Sequence, residues 1–375
     1  MTMKLGRVAA AGVVALAGAA VATPAMAEKI ENQYVCVFNP GLVAKGQVKA
    51  EARRSANAAA GNVRFTYENT IRGFAVNASA QGVANMQAKN PRIAYCEQDQ
   101  VYKTSAPPPG KGPGGGGDGG GSGPAQTTPW GIARVGGGQS GATGRALVLD
   151  SGVDLDHPDL NVNVGLSVNF TRDKDADDGN GHGTHVAGTI AAIDNDTGVI
   201  GVAAGAEVVG IKVLDRRGSG STSGVIAGIE YAASIARNND VANMSLGGGF
   251  SQALNDAVIT AAQGGLRFAL AAGNESTDAA TKSPASANHP NIYTISSFAQ
   301  GDNWSSFSNY GNPPVDYAEP GSAIYSTYKD GGYATLSGTS MASPHMAGLL
   351  LLGPIRSGGT VNGDPDRNPD TIGIN

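Results

Sequence analysis

From Gly144 onward, short apolar runs alternate with stretches of helical period. The runs ALVLD (146–150), EVVGIKVLD (207–215), VANMSL (241–246), RFALAA (267–272) and IYTISS (292–297) show little polar alternation. Between several of them lie HVAGTIAAI (185–193), GVIAGIEYAASIAR (224–237) and ALNDAVITAAQ (253–263), whose apolar residues recur at helical spacing. Strands that are apolar on both sides, alternating with helices, predict an α/β fold: a mostly parallel sheet covered by helices on both faces. In such sheets functional groups collect at the carboxyl ends of the strands. Asp150 ends the first run, Ser245 the third, and Asn274 follows the fourth.

The pattern before Gly144 is different. YVCVF (34–38) and RIAYCEQD (92–99) read as strands, and VANMQAKN (83–90) as a short helix stopped before Pro91. Residues 34–103 thus predict a small α+β unit. The segment PPPGKGPGGGGDGGGSGP (107–124) has nothing to bury and reads as a linker between two folded parts. At the other end, residues 354–375 are rich in Gly, Pro and Asp and read as an irregular tail.

Residues 1–27 form a separate case. Lys4 and Arg7 precede a short, alanine-rich apolar run, and Ala25-Met26-Ala27 supplies a small-residue cleavage site. This predicts a secretory signal removed after Ala27, hence an extracellular or periplasmic protein. No later run is long and apolar enough to span a membrane. Glycine is abundant, with 56 in 375 residues, and charged residues make up only 15%. Only part of the glycine excess lies in the linker, so tight turns and close backbone approach are expected elsewhere. With a net charge of −5 and no basic stripe, nothing favours nucleic acid. The two cysteines, Cys36 and Cys96, are far apart in sequence, and spacing alone does not pair them.

Three segments carry chemistry. VLDSGVD (148–154) puts Asp150 at the end of an apolar strand, where a bare carboxylate is costly unless bonded. NGHGTHVAG (180–188) puts His182 between glycines at a helix start, and SGTSMASPHM (337–346) carries Ser340. An acid, an imidazole and a hydroxyl at chain ends of an α/β sheet are the parts of an acyl-transfer triad. The serine needs a base of near-neutral pKa, and the base needs a carboxylate to fix its tautomer. The oxyanion needs donors, for which the Ser340 N–H and the Asn274 amide are candidates.

These segments, with NMSLGG (243–248) and AAGNE (271–275), resemble those of the subtilisin-like serine proteases, in the same Asp, His, Ser order. The resemblance covers roughly 126–353. It implies a secreted, self-processing serine endopeptidase with Asp150, His182 and Ser340 as triad and Asn274 as oxyanion donor. It also implies that backbone at Gly218, Ser219 and Gly220 and at Ser245, Leu246 and Gly247 pairs with an extended peptide. Ala271, Ala272 and Gly273 would line the pocket for the side chain before the cut.

The first unit resembles the family's propeptide, ending in an E-x-D-like strand at CEQDQV (96–101). The expected organisation is a signal at 1–27, an inhibitory and folding propeptide at 28–106, a linker at 107–124, a peptidase domain at 125–353 and the tail. A first self-cleavage is expected near Lys103 to Ala106. In that propeptide fold the strands carrying Cys36 and Cys96 are neighbours, which implies a disulfide. The resemblance further implies a structural calcium ion held by Gln126, Asp159, Asn195 and the carbonyls of Ile193, Thr197 and Val199, an oxygen set suited to that ion. Peptides are the expected partners, with the propeptide as intramolecular inhibitor and the protein a monomer. A transpeptidase or macrocyclase, in which an amine replaces water, is the alternative, followed by a non-catalytic binding protein on the same fold.

Other features read as structural. His182 and His185 lack the H-E-x-x-H spacing of zinc proteases. His157, His185, His289 and His345 are expected to be packing residues. DKDADD (173–178) reads as a solvated acidic loop, with a weak second cation site as the alternative. GGGQSGATG (136–144) lacks the lysine of a phosphate loop and reads as a turn.

Overall fold

The computed structural model describes residues 28–104 and 124–375. The expected signal at 1–27, almost all of the expected linker, and Ser105 and Ala106 near the expected cut lie outside the described residues.

The first unit runs β1 (Lys29–Phe38), α1 (Val48–Ala58), β2 (Asn62–Tyr67), β3 (Gly73–Asn77), α2 (Ala80–Lys89) and β4 (Ile93–Thr104). Its strands pair antiparallel in the order β4-β1-β3-β2. Val48, Ala52 and Ala56 recur every fourth residue on α1 and pack with Val83 and Met86 of α2 over Cys36, Phe38, Phe74 and Val76. Cys36 faces Cys96 in the β1–β4 register, and the two form a disulfide.

The second unit begins with α3 (Trp130–Arg134), β5 (Ala146–Asp150), β6 (Val168–Asn169), α4 (His182–Ala191), β7 (Val208–Lys212) and β8 (Ser219–Ser221). It continues through α5 (Thr222–Ile235), β9 (Val241–Met244), β10 (Leu246–Gly249), α6 (Gln252–Gln263), β11 (Arg267–Ala271) and β12 (Lys282–Ser283). It ends with β13 (Ile292–Ala299), β14 (Asn303–Trp304), β15 (Val315–Pro320), β16 (Ile324–Tyr328), β17 (Gly332–Leu336), α7 (Thr339–Leu352), β18 (Arg356–Thr360) and β19 (Thr371–Ile374). Ten of these strands form one sheet in the order β18-β19-β15-β13-β11-β9-β5-β7-β6, with β14 beside β13. Every neighbour from β6 across to β19 is parallel.

The two faces of this sheet fill different cores. Leu147 and Leu149 of β5 point to the face covered by α5 and α6, while Ala146 and Val148 point to the face covered by α4 and α7. The α/β architecture expected from the unbroken apolar runs is present. The small antiparallel sheet of the first unit packs on α5 and α6, adding Val35, Val37, Tyr67 and Ala75 to the first of these cores.

Two carboxylates of β4 meet the starts of those helices. Asp99 accepts from the Ser223 N–H at 3.1 Å and the Ser223 hydroxyl at the start of α5. Glu97 accepts from the Ser251 hydroxyl and the Ala253 N–H at the start of α6. Helix N-termini leave backbone N–H groups unpaired and carry partial positive charge, so acceptors are favoured there. In return, Glu230 of α5 accepts five hydrogen bonds, from backbone and side chains of Glu68, Asn69 and Thr70.

The C-terminal segment differs from the irregular tail expected. Strands β18 and β19 pair antiparallel, and β19 extends the main sheet alongside β15. Composition hid this because a few apolar residues suffice: Val361 and Ile372 close a small core with Phe298 and Ala318. The Asp370 carboxylate ties the segment down, accepting from Ser296 Oγ at 2.5 Å and Asn312 Nδ2 at 2.7 Å. The helix α7 is accordingly well covered, with Thr339 through Leu351 all buried. Ile372 is fully buried, so Ile372→Ala should cost roughly 2–5 kcal/mol. Urea denaturation of a self-cleavage-deficient background would measure this.

Candidate active site

The site forms where β5, β9 and β11 end and α4 and α7 begin. At its centre, the His182 Nδ1–H donates to Asp150 Oδ1 at 2.8 Å, with both side chains buried. Asp150 Oδ1 also accepts from the Ser151 N–H at 2.7 Å. Gly183 makes this approach feasible: a Cβ there would lie 2.0 Å from the Gly152 carbonyl oxygen and 3.1 Å from Asp150 Cβ. His182 Nε2 is buried and has no hydrogen-bond partner among the described residues.

The acidic run at 173–178 is not simply a solvated loop. Asp178 is buried and organises the start of α4. It accepts from the N–H groups of Asn180, Gly181 and Thr184 and from the hydroxyls of Thr184 and Ser151, at 2.7–3.0 Å. Burial raises its pKa, and the hydrogen bonds from Gly181, Thr184 and Ser151 oppose that shift. The residue was hidden in the sequence by its acidic neighbours; its one visible signal is its place four residues before His182. Asp173, from the same run, lies 3.2 Å from the ammonium of the fully buried Lys212.

Ser340 is the second residue of α7. Its hydroxyl donates to the Ser245 carbonyl at 3.1 Å, and its own carbonyl accepts from Ser245 Oγ at 2.8 Å. Pro344 explains the second bond. A proline has no N–H, so the Ser340 carbonyl lacks its usual partner four residues on. Ser343 Oγ then donates to Asn243 Oδ1, and Asn243 Nδ2 donates to Ser245 Oγ. This chain fixes α7 on the end of β9.

Asn274 is oriented by the residue just before Ser340. Its Oδ1 accepts from the Thr339 N–H at 2.8 Å and from Thr339 Oγ1 at 3.0 Å. Thr339 Oγ1 also accepts from the Gly273 N–H at 3.0 Å. Nothing in the sequence marks Thr339 as more than a small polar residue beside Ser340. It is the residue that sets the sense of the Asn274 amide.

The two expected peptide-pairing edges face an extended strand, and that strand is the end of β4. Val101, Tyr102 and Lys103 pair antiparallel with Ser221, Gly220 and Ser219. Lys103 and Thr104 pair with Gly247 and Leu246, and the Thr104 N–H donates to the Gly218 carbonyl at 2.9 Å. Ser245 instead bonds Ser340, as described. Ala271, Ala272 and Gly273 are buried at the end of β11. Gly273 and Ala272 are braced by Asn309, whose N–H donates to the Gly273 carbonyl and whose Nδ2 donates to the Ala272 carbonyl.

The six residues expected to hold calcium are drawn from three separate segments into one place. Asp159 Oδ1 accepts from Asn195 Nδ2, and Oδ2 accepts from the Val199 N–H and the Tyr333 hydroxyl. Gln126 Oε1 accepts from the N–H groups of Asn195 and Asp196. The Ile193 N–H donates to the Asp159 carbonyl, and Asn195 Oδ1 accepts from the Thr197 N–H and hydroxyl. Asp159 is fully buried and has no Lys or Arg ion pair among the described residues, and burial raises its pKa. The expected ligands bond one another here, and carboxylate, side-chain amide and carbonyl oxygens are the donor types that a hard divalent cation takes.

Both His185 and His345 are bonded within the fold. His185 Nε2–H donates to the Ile324 and Ala334 carbonyls, and His345 Nδ1–H donates to the Met341 carbonyl at 2.8 Å. His345 is therefore tied to its own helix and is not the base for Ser340.

The comparisons with known proteins bear on the same residues. A family model described as "Subtilase family" matches residues 147–353. Subtilisin-like protease 7 of Arthroderma gypseum is 39% identical over 367 residues, covering 90% of this chain and 86% of that protein. The chain belongs to the subtilase family. Alkaline serine exoprotease A of Vibrio alginolyticus is 38% identical over 343 residues, covering 86% of this chain and 60% of that protein. The crystal structure of a cold adapted subtilisin-like serine proteinase matches with a TM-score of 0.55 and 42% identity, over 61% of this chain and 88% of that one. This subtilase is a serine endopeptidase acting on peptides.

Burial lowers the pKa of His185 to about 3 and that of His345 to about 4. In the unfolded chain both protonate near ~6.5. Their contribution to stability is therefore complete above pH ~6.5 and is lost as the pH falls below that value, toward about 4 for His345 and about 3 for His185. His185→Gln should flatten the fall in unfolding free energy over this window, read from urea titrations at stepped pH.

Proposed function

We propose that this subtilase is a secreted, self-processing endopeptidase in which Asp150, His182 and Ser340 form the catalytic triad. The observation that carries the reading is the buried Asp150–His182 hydrogen bond, with His182 Nε2 left without a hydrogen-bond partner among the described residues. A carboxylate on Nδ1 fixes the tautomer that leaves Nε2 as the base. For reaction, the Ser340 hydroxyl rotates from the Ser245 carbonyl to Nε2. Nε2 takes the proton as Oγ attacks the peptide carbonyl, and Asp150 stabilises the imidazolium. The Ser340 N–H and the Asn274 amide, held by Thr339, stabilise the oxyanion. His182 then protonates the leaving amine, and water repeats the sequence in reverse.

Residues 28–106 serve as propeptide in this reading. The supporting observation is that the end of β4 already fills both peptide-pairing edges. The unit thus blocks the cleft as an intramolecular inhibitor of a monomeric enzyme, after a first cut between Lys103 and Ala106. Residues 1–27 direct secretion and are removed.

Ser340→Ala should lower kcat by several orders of magnitude, the scale of loss known for subtilisin itself. Mass spectrometry of the secreted protein should find a fragment ending between Lys103 and Ala106 in the wild type and an uncut chain in Ser340→Ala. A sole mature start at Ala125, with no earlier product, would overturn the placement of the cut. Product masses on a model peptide separate hydrolysis from transfer to an amine.

Calcium is proposed at Gln126, Asp159 and Asn195 and the carbonyls of Ile193, Thr197 and Val199. There it would neutralise Asp159 and clamp the chain start to the loop after α4. Removing an ion present at 100 times its Kd costs about 2.7 kcal/mol. For a domain this size, chelation should lower the melting temperature by roughly 5–10 °C, and added calcium should restore it. Asp159→Asn should abolish that response. A melting curve unchanged by chelator would remove the ion from the reading.

A further inference from the structure

The net charge of −5 hides an uneven division. Residues 28–104 carry ten Lys and Arg against six Asp and Glu, whereas residues 125–375 carry 13 against 24. Folding gathers the cations of the first unit, which the sequence leaves dispersed. Lys49 and Arg53 lie four apart on α1 and share one face of it, and Lys45 keeps the same spacing in the turn leading into the helix. All three are exposed, while Val48 and Ala52 turn into the core. The end of α2 adds two more. Asn90 Nδ2 donates to Glu51 Oε1 and Ser55 Oγ, both at 3.1 Å, and Arg92 Nη1 donates to Glu51 Oε2 at 2.8 Å. Arg92 and the exposed Lys89 thus stand beside the middle of α1, where Arg54 meets the same Glu51 at 2.7 Å.

Glu51 is the one acid in the sequence between Glu31 and Glu68, and it is buried and taken up by these bonds. Lys45, Lys49, Arg53 and Lys89 have no ion pair among the described residues. The acidic second unit does not neutralise them, because α1 and α2 cover the face of the small sheet opposite the one that packs on α5 and α6. Leu42, three residues before Lys45, is exposed. Between the cations the exposed positions are largely alanine, as at Ala50, Ala58, Ala84 and Ala88. Neither 39–64 nor 79–92 contains an aromatic ring on which a base could stack. Long cationic side chains over small neutral residues, with an exposed leucine nearby, fit an anionic lipid surface. The cations meet phosphates, and the leucine enters the headgroup boundary.

We propose that the α1–α2 face of the first unit docks on an anionic phospholipid surface and holds the uncut chain there. The proposal rests on the reading of this unit as a removable propeptide. Each cation contributes little alone, so binding depends on several acting together. Cutting after β4 separates the basic unit from a net acidic enzyme, which the same surface repels. The cleft is then filled for as long as the chain is held at the lipid, and the enzyme leaves the surface when the unit is shed.

The test uses the uncut Ser340→Ala chain starting at Glu28, sedimented with vesicles of phosphatidylcholine alone or with one third phosphatidylglycerol. The chain should bind the anionic vesicles at about 0.1 M salt, release them at about 1 M, and leave the neutral ones unbound. Lys45→Gln, Lys49→Gln and Arg53→Gln together should weaken binding about a hundredfold, roughly fivefold per cation. Leu42→Ser should weaken it roughly threefold or more. Lys174→Gln, Arg237→Gln and Arg367→Gln together, an equal loss of charge on the second unit, should leave binding within twofold. Circular dichroism checks that each variant is folded. Equal binding to neutral and anionic vesicles, or unchanged binding by the first triple variant, would overturn the proposal and leave the protease reading intact. Tighter binding of double-stranded DNA than of anionic vesicles at equal salt would overturn it as well, as would self-association lost in that variant without vesicle binding. Wild type that binds the vesicles and stays uncut would instead be a failure of the propeptide reading.

Discussion

The site is held together by a carboxylate that takes no part in the chemistry proposed for it. Asp178 reaches Ser151, the residue after Asp150, with one oxygen, and Thr184, two residues after His182, with the other. It also caps the glycine-flanked turn into α4. The end of β5 and the start of α4 thus share a single buried anchor. The Asp150–His182 distance is a consequence of that anchor and of the bare backbone at Gly183. Because the carboxylate is buried, each of its five donors is needed to offset the loss of water. The oxygen shared by Ser151, Asn180 and Gly181 ties both ends of the pair together.

A second anchor stands on the α7 side, built without charge. Ser343, Asn243 and Ser245 pass hydrogen bonds in sequence to the Ser340 carbonyl, which Pro344 leaves without a helical partner. The proline thus frees an acceptor that fastens the helix to the sheet. The two anchors approach from opposite ends of the site. They share no residue, and β5 pairs directly with β9, so in the proposed triad the sheet between the anchors carries the alignment of Ser340 with His182.

The central strands and three of the helices were legible because burial on both faces leaves unbroken apolar runs. Asp150, His182, Ser340 and Asn274 were legible because each sits at the end or start of such a run, in segments shared with a family. The remainder was hidden for physical reasons. The strands β8 and β10, SGS and LGGG, have no hydrophobic pattern, since what they bind is another backbone. The helix α1 presents mostly alanine and valine to its core, too little contrast to stand out. The strand β19 places only Ile372 and Gly373 in buried positions. Asp178 and Thr339 act through hydrogen bonds alone, and neither bears a local signature that separates it from a cap or a solvated acid.

The strand β4 is one continuous element of 12 residues, Ile93 through Thr104, with its first part in the sheet of the first unit and its last part in the cleft. Four residues of extended chain would bind such a groove weakly alone, because ordering them offsets much of the backbone bonding. Continuity with a domain that docks on α5 and α6 converts that weak contact into an intramolecular one at high effective concentration. Occupancy of the cleft and folding of residues 28–104 are therefore thermodynamically linked. Whatever loosens the small sheet, reduction of Cys36–Cys96 included, also loosens the plug, and the cleft opens without any change in its own contacts.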